Sequence, residues 1–202
     1  MSGRCKGNDT MAGAVILARH GEPALSRRVM LTAKGYRDWW ARYEEGGLKP
    51  GQIPPPELLV LASEAGAVFS STRERSIQSA KAVCGERAFV SDKLFIEAPL
   101  PSPPIPGAIR FSPKWWGVVS RICWGIFNYH DGQESRAQAR ARADRAARML
   151  EEHAAGGADV VLIAHGYFNF MIGRALVLHG WRREADQGFS YWSSRRFTPP
   201  SR

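Results

Sequence analysis

The sequence predicts an α/β fold, three layers deep (α/β/α), around a mostly parallel central sheet. Two apolar runs and what lies between them carry that expectation. Ala14-Val15-Ile16-Leu17-Ala18 and Val160-Val161-Leu162-Ile163-Ala164 are short and uniformly apolar, as strands covered on both faces are. Each stops at a histidine–glycine pair, His20-Gly21 and His165-Gly166. The chain between them reads mostly at helical spacing, and alternation of strand and helix places helices on both faces of a parallel sheet.

In chain order, Thr32 is an N-cap for a helix through Tyr36, Trp39, Trp40 and Tyr43, stopped by Gly46-Gly47. Trp39 and Trp40 are read as core. Pro54-Pro55-Pro56 opens a short helix with Leu58, Leu59 and Leu61 inward. A weaker run, Ala67-Val68-Phe69, makes a third strand ending at Ser70-Ser71. Glu74 to Cys84 follows as a helix, with Ile77, Ala80 and Val83 or Cys84 on one face. The clearest helix is Ser135 to His153, where Ala139, Ala143, Ala146, Ala147 and Leu150 fall at helical spacing before Gly156-Gly157. Phe168 to Leu178 is apolar on most sides and so reads as a buried helix. The residues after Trp192, with Pro199-Pro200, read as a frayed tail.

Residues 98–129 break the alternation. Pro99, Pro101, Pro103, Pro104 and Pro106 lead into Trp115, Trp116, Val118, Val119, Ile122, Trp124, Ile126 and Phe127. This Pro/Trp-rich stretch reads as an insertion over one end of the sheet, packing as a lid or rim. The competing reading is an apolar patch for a homodimer or a membrane surface.

A length of 202 residues suits one domain over the whole chain, 1–202. Residues 1–11 are polar, which fits a disordered tail and not a secretory signal. No apolar run approaches the roughly 18 residues of a membrane helix, so no transmembrane segment is expected. Cys5, Cys84 and Cys123 are scattered, without the spacing of a zinc site or a disulfide framework. A reducing, cytoplasmic setting follows. The net charge of +9 favours anionic partners. Much of it comes from Arg136, Arg140, Arg142, Arg145 and Arg148, read as a solvated helix face. No aromatic residues interleave them, so a single-strand binder's stacking element is missing and no nucleic-acid partner is expected.

In an open α/β sheet, ligands sit at the carboxyl ends of the strands, where His20 and His165 fall. The glycine after each histidine lets backbone N–H groups approach an anion. Four segments then resemble, in order, the motifs of the histidine phosphatase (phosphoglycerate mutase-like) superfamily. Arg19-His20-Gly21-Glu22 is similar to its R-H-G-E signature, and Leu31-Thr32-Ala33-Lys34-Gly35 to its L-T-x-x-G helix start. Ser70 to Ala80 resembles the serine-led R-A-x-Q-T-A segment, and Ile163-Ala164-His165-Gly166 its late G-H-G segment. The likeness spans residues 14 to 180.

The resemblance implies roles. His20 is the nucleophile, attacking phosphorus in line through a neutral imidazole nitrogen. Arg19, Arg75 and His165 hold the non-bridging oxygens, because a transferring phosphoryl group spreads charge that fixed positive donors stabilise. His165 is counted with the catalytic residues as well. Arg75 is chosen over Arg73 because Ser76, Gln78, Ser79 and Ala80 then fall in register; Arg73 belongs at the pocket mouth or in solvent. With so much positive charge no metal or other cofactor is expected. The family places a proton-donating acid at the end of a following strand, which Leu94-Phe95-Ile96-Glu97 fits, so Glu97 is the general acid. Its rival is Glu134, in Gly132-Gln133-Glu134-Ser135, which otherwise is a helix-start carboxylate. Glu22, and Ser26 near the place of a family asparagine, are further candidates for substrate contact. His130, His153 and His179 are assigned surface or packing roles.

The expected function is therefore a metal-independent phosphomonoesterase, in the phosphatase branch, acting on a small phosphorylated substrate. Mutases of the superfamily are usually longer, so water is the expected acceptor. Two alternatives stand beside it: a phosphohistidine protein phosphatase, and a non-enzymatic anion- or protein-binding module on the same fold.

Overall fold

The computed structural model describes residues 12–200; the expectations for the 1–11 tail and for Cys5 lie outside the described residues. Among these, six strands form one sheet: β1 (Val15–Arg19), β2 (Ala67–Ser71), β3 (Val90–Asp92), β4 (Val160–Ala164), β5 (Arg182–Asp186) and β6 (Ser194–Thr198). Their order is β3-β2-β4-β1-β6-β5. The first four are parallel neighbours, while β6 runs antiparallel to β1 and β5 antiparallel to β6. Helices α1 (Ala33–Glu45), α2 (Pro56–Glu64), α3 (Glu74–Cys84), α4 (Pro113–Ile126), α5 (Arg136–Ala154) and α6 (Gly166–Leu178) complete the fold.

The apolar runs form the middle layer because their side chains point alternately to two cores. Val15 and Leu17, with Val160 and Leu162, pack against α5 and α6. Ile16 and Ala18, with Val161 and Ile163, pack against α2 and α3. A third cluster joins Tyr36, Trp39 and Tyr43 of α1 to Trp116 of α4. Helix starts follow local chemistry: Thr32 accepts from the Gly35 N–H at α1, and Ser135 and Gln138 form a reciprocal capping box at α5.

Four expectations need correction. The chain after Trp192 is not frayed: β6 pairs with β1 inside the sheet, and Phe197 is buried. Gly173 of α6 makes room for it, since a Cβ there would stand 2.7 Å from the Phe197 ring. The strand expected at Leu94–Glu97 is instead a 3₁₀ turn, Lys93–Phe95, after the short β3. In α2, Leu58 and Ala62 are buried, whereas Leu59 and Leu61 are only half-buried. Arg142 is not on a solvated face: it is buried, with its guanidinium 3.8 Å from the centre of the Phe168 ring.

Candidate active site

Register places the two histidines together. Arg19 pairs with Ala164 across the parallel β1–β4 neighbours, so the next residues, His20 and His165, leave adjacent strands at the same edge. Their ring centroids are 5.2 Å apart, with the planes 69° from parallel. β2 lies on the other side of β4 and brings Ser71 to the same edge. α3, starting just after β2, delivers Arg75 from its first turn.

Hydrogen bonding sets the tautomers. His20 Nδ1 lies 2.7 Å from the Gly21 carbonyl, which can only accept, so Nδ1 carries the proton and Nε2 the lone pair. Arg75 Nε donates to that Nε2 at 3.3 Å. His165 Nδ1 accepts from Arg75 Nη2 at 3.4 Å, which leaves the proton on Nε2, 2.9 Å from Ser71 Oγ. Burial, then the charges of Arg75 and Arg19, hold His20 well below the ordinary imidazole value; burial and Arg75 do the same to His165. Both rings are neutral at neutral pH.

Arg75 is fully engaged. Nη1 donates to the Tyr43 carbonyl at 2.8 Å and the Glu44 carbonyl at 3.3 Å, and Nη2 to Glu44 Oε1 at 2.9 Å. With the bonds to the two histidines, all of its donors are taken. The bonds to the two histidines, like that to the Glu44 carbonyl, are long, at 3.3–3.4 Å. Arg19 differs. Its guanidinium donates to the Phe189 carbonyl and stacks over Tyr191 at 4.3 Å, but its buried Nε has no acceptor. Gly166 explains its own identity, because a Cβ there would come within 3.3 Å of Arg19 Nε. At Gly21 a Cβ would fall 2.4 Å from the Trp192 ring.

Glu97 also reaches the site. Oε1 accepts from the backbone N–H groups of Ala98 and Phe168, both at 2.9 Å, and Oε2 from that of Tyr167 at 3.4 Å. The carboxylate thus sits on the N-terminus of α6, directly after His165, with Arg121 3.6 Å away. Glu134 is elsewhere: both of its oxygens pair with Arg142, at 2.8 and 2.7 Å. Arg142 also donates to the Leu94 and Ile96 carbonyls at 2.9 and 2.8 Å, so the pair holds the turn that carries Glu97.

These groups line a cavity of about 590 Å³ together with Arg27, Trp39, Trp40, Tyr43, Arg121 and residues of α4. His20, His165, Arg19, Arg75 and Glu97 are all in its wall; Glu22, Ser26 and Glu134 are not. Glu22 instead forms an exposed ion pair with Lys49 at 3.7 Å, and Ser26 Oγ accepts from the Arg28 N–H. Trp39 and Trp40 are cavity wall as well as packing. Sequence reasoning missed Glu44, which bridges Arg75 and Arg73, and Arg27, which donates to the Tyr43 hydroxyl at 2.6 Å. It also missed Arg121, stacked 3.9 Å over Tyr167. None carries a local motif; only the third dimension brings them to the histidines. Among the described residues no three of His, Cys, Asp and Glu gather as metal ligands would.

No protein-family model matches the sequence, and no curated protein is significantly similar to it. Solved structures are. A phosphoglycerate mutase from Bacillus anthracis superposes with a TM-score of 0.60 at 14% identity, over 95% of this chain and 90% of that one. A mycobacterial glucosyl-3-phosphoglycerate phosphatase gives 0.58 at 18%, over 92% and 89%. A phosphoserine phosphatase from Entamoeba histolytica gives 0.55 at 13%, over 94% and 98%. The chain therefore has the phosphoglycerate mutase-like α/β fold that these solved structures share.

Proposed function

We propose that this chain is a phosphoric monoester hydrolase that works through a phosphohistidine on His20 and needs no metal. One observation carries the reading: an unprotonated, buried His20 Nε2 faces Arg75, beside an Arg19 Nε that has no acceptor. A buried donor left unpaired costs on the order of 1–3 kcal/mol. A phosphoryl oxygen would satisfy it, and the phosphorus would then stand before the lone pair.

In the first step the Nε2 lone pair forms the N–P bond as the P–O bond to the alcohol breaks. The departing alkoxide takes a proton from Glu97, which enters this step as the acid, protonated on Oε2, the oxygen held by one long bond. In the second, water attacks the phosphohistidine, the N–P bond breaks and Glu97 recovers a proton. Arg19 and Arg75 hold the equatorial oxygens in both steps, and His165 joins them by turning its Nε2–H from Ser71 Oγ to the phosphoryl group. Neutrality of His20 matters because a protonated ring has no lone pair to attack with.

The structural neighbours named as phosphatases support this class. The aromatic-walled cavity of about 590 Å³ offers a small substrate contact on several sides, which favours it over a phosphohistidine protein. A pure anion-binding module would have no use for a buried Nε2 lone pair held unprotonated against Arg75. Cys84 and Cys123 are free thiols, consistent with a reducing compartment. Among the described residues no helix is long and apolar enough to cross a membrane.

The test is to quench the protein in base during turnover of p-nitrophenyl phosphate. Wild type should carry phosphate that is stable in alkali and released by acid. His20→Ala should carry none and turn over nothing, with its fold kept by circular dichroism. Ordinary turnover by the His20 variant would end the mechanism.

A further inference from the structure

Resting on the phosphomonoesterase reading, we propose that the alcohol portion of the substrate is apolar, an alkyl or prenyl chain that leaves the phosphoryl site along the outer face of α4. Two features point there: the chemistry of the cavity wall, and an exposed apolar stripe of α4 that forms part of it.

A sugar, glycerol or amino-acid phosphate would need hydroxyl and amine partners. The described cavity wall contains no Asn, Gln, Ser, Thr or Asp. Its one carboxyl, Glu97, gives Oε1 to backbone N–H groups and keeps Oε2 for the leaving-group oxygen. Trp39 Nε1 is spent on the Ser26 carbonyl, and the Tyr43 hydroxyl accepts from Arg27. The Tyr36 phenol, pushed up to about 12 by burial, stays neutral and is a buried hydroxyl without a partner. The other polar groups are cationic: Arg19, Arg27 and Arg75 are stacked on Tyr191 and Tyr43 at the phosphoryl end, and Lys114 and Arg121 come from α4. A site built to read several hydroxyls leaves several donors and acceptors facing the substrate; here, that one phenol and the cations apart, the wall is aromatic and aliphatic.

α4 carries the second feature. An amphipathic surface helix buries one stripe and presents polar residues on the other. α4 buries Trp116 and Trp124 completely, yet its opposite face is apolar too: Val118, Ile122 and Ile126 are 44%, 46% and 72% exposed. Their spacing of four puts them in one row along the helix, and all three belong to the cavity wall. From Val118 to Ile126 the helix rises about 12 Å. Lys114, one step earlier, heads the same row and lines the cavity, and exposure rises along it to Ile126. The apolar part of the row is as long as a medium alkyl chain, so an apolar leaving group covers it as it emerges past Lys114.

The experiment uses n-alkyl phosphates of two to twelve carbons, below their micellar concentrations, with glycerol phosphate and p-nitrophenyl phosphate alongside. In wild type, kcat/KM should rise about two- to fourfold per methylene until the row is covered, the upper figure being the equivalent of ~0.8 kcal/mol per buried methylene. Glycerol phosphate should be the poorest. Ile122→Asn and Ile126→Asn, at exposed positions that tolerate polar residues, should flatten the chain-length profile. Binding of n-alkylphosphonates, followed by calorimetry, reads the same row without turnover. A flat profile with active enzyme overturns the proposal and leaves the phosphatase reading intact. So does a dimer whose formation covers the row while chain length has no effect. No hydrolysis of any ester, with phosphonates still binding in proportion to chain length, would overturn the phosphatase reading and keep the apolar track.

Discussion

Arg73 and Arg75 share one carboxylate, and burial separates their roles. Glu44 pairs with Arg75 through Oε1 at 2.9 Å and with Arg73 through Oε2 at 2.5 Å. The Arg75 side chain is 1% exposed and touches both histidines; the Arg73 side chain is 35% exposed and touches neither. Arg75→Ala should cost on the order of 2–4 kcal/mol of transition-state stabilisation, by analogy with losing one oxyanion donor. Arg73→Ala should cost under about 1 kcal/mol, as partly exposed pairs do. The two variants' kcat/KM values on p-nitrophenyl phosphate decide this, and the reverse ranking would move the phosphate-binding arginine to position 73. The choice of Arg75 rests on the likeness of Ser70–Ala80 to the serine-led R-A-x-Q-T-A segment, a local pattern, and the fold buries Arg75 while leaving Arg73 partly exposed. Arg27, Glu44 and Arg121 were not legible. Glu44 lies 31 residues from its partner Arg75, and no local pattern encodes such a meeting. Glu22 and Ser26 lie outside the cavity wall: nearness in sequence to the R-H-G-E segment did not carry their side chains into it.

At the scale of elements, α5 acts on the site through the turn that follows β3. Arg142 reaches from α5 to the Leu94 and Ile96 carbonyls and is itself held by Glu134. Glu97 therefore stands on a pinned turn against the start of α6, and Glu134 positions that turn from outside the cavity. The two carboxylates should separate by leaving group. A p-nitrophenolate departs without a proton, whereas an alkoxide does not. Glu97→Gln should slow an alkyl phosphate far more than p-nitrophenyl phosphate. Glu134→Gln, which loosens the turn, should slow both to a similar extent. Leaving-group dependence in the Glu134 variant alone would reassign the acid. The helices read well from sequence because caps, glycine stops and alanine spacing are local signals, as at Thr32, Ser135 and Gly46. β6 read badly because only Phe197 is a large apolar residue in Ser194–Thr198. Its place in the sheet comes from main-chain pairing with β1, which the side-chain pattern does not report. β3 and the Lys93–Phe95 turn are similar: three residues are too few to show a period.

For the whole molecule, the parallel order of β1, β2 and β4 followed from apolar runs separated by helices, but the register that brings His20 beside His165 did not. That register leaves a signature in overall stability. Both rings are buried and held neutral, so their folded values lie below the ordinary imidazole value of 6.5. The unfolded chain then binds more protons once the pH drops below that value, and stability falls with it. Each histidine contributes a slope of up to about 1.4 kcal/mol per pH unit until it is protonated in the folded state. His179, at the end of α6, works the other way. Burial lowers it, but bonds to Glu151 and Asp144 outweigh this and raise it. Its stabilisation is complete below 6.5 and is lost as the pH rises through the raised value. Asp144 and Asp186 are held below the ordinary 3.8, so their loss sets in at more acid pH and does not blur this window. Two opposing histidine effects should therefore place the stability maximum near the ordinary imidazole value. Urea unfolding from pH 5 to 8 reads it directly. His20→Asn should reduce the slope on the acid side, and His179→Asn should remove the decline on the alkaline side. Wild-type stability that stays level between pH 5 and 6.5 would mean that the two site histidines are not held neutral, and the attacking lone pair of His20 would lose its physical basis.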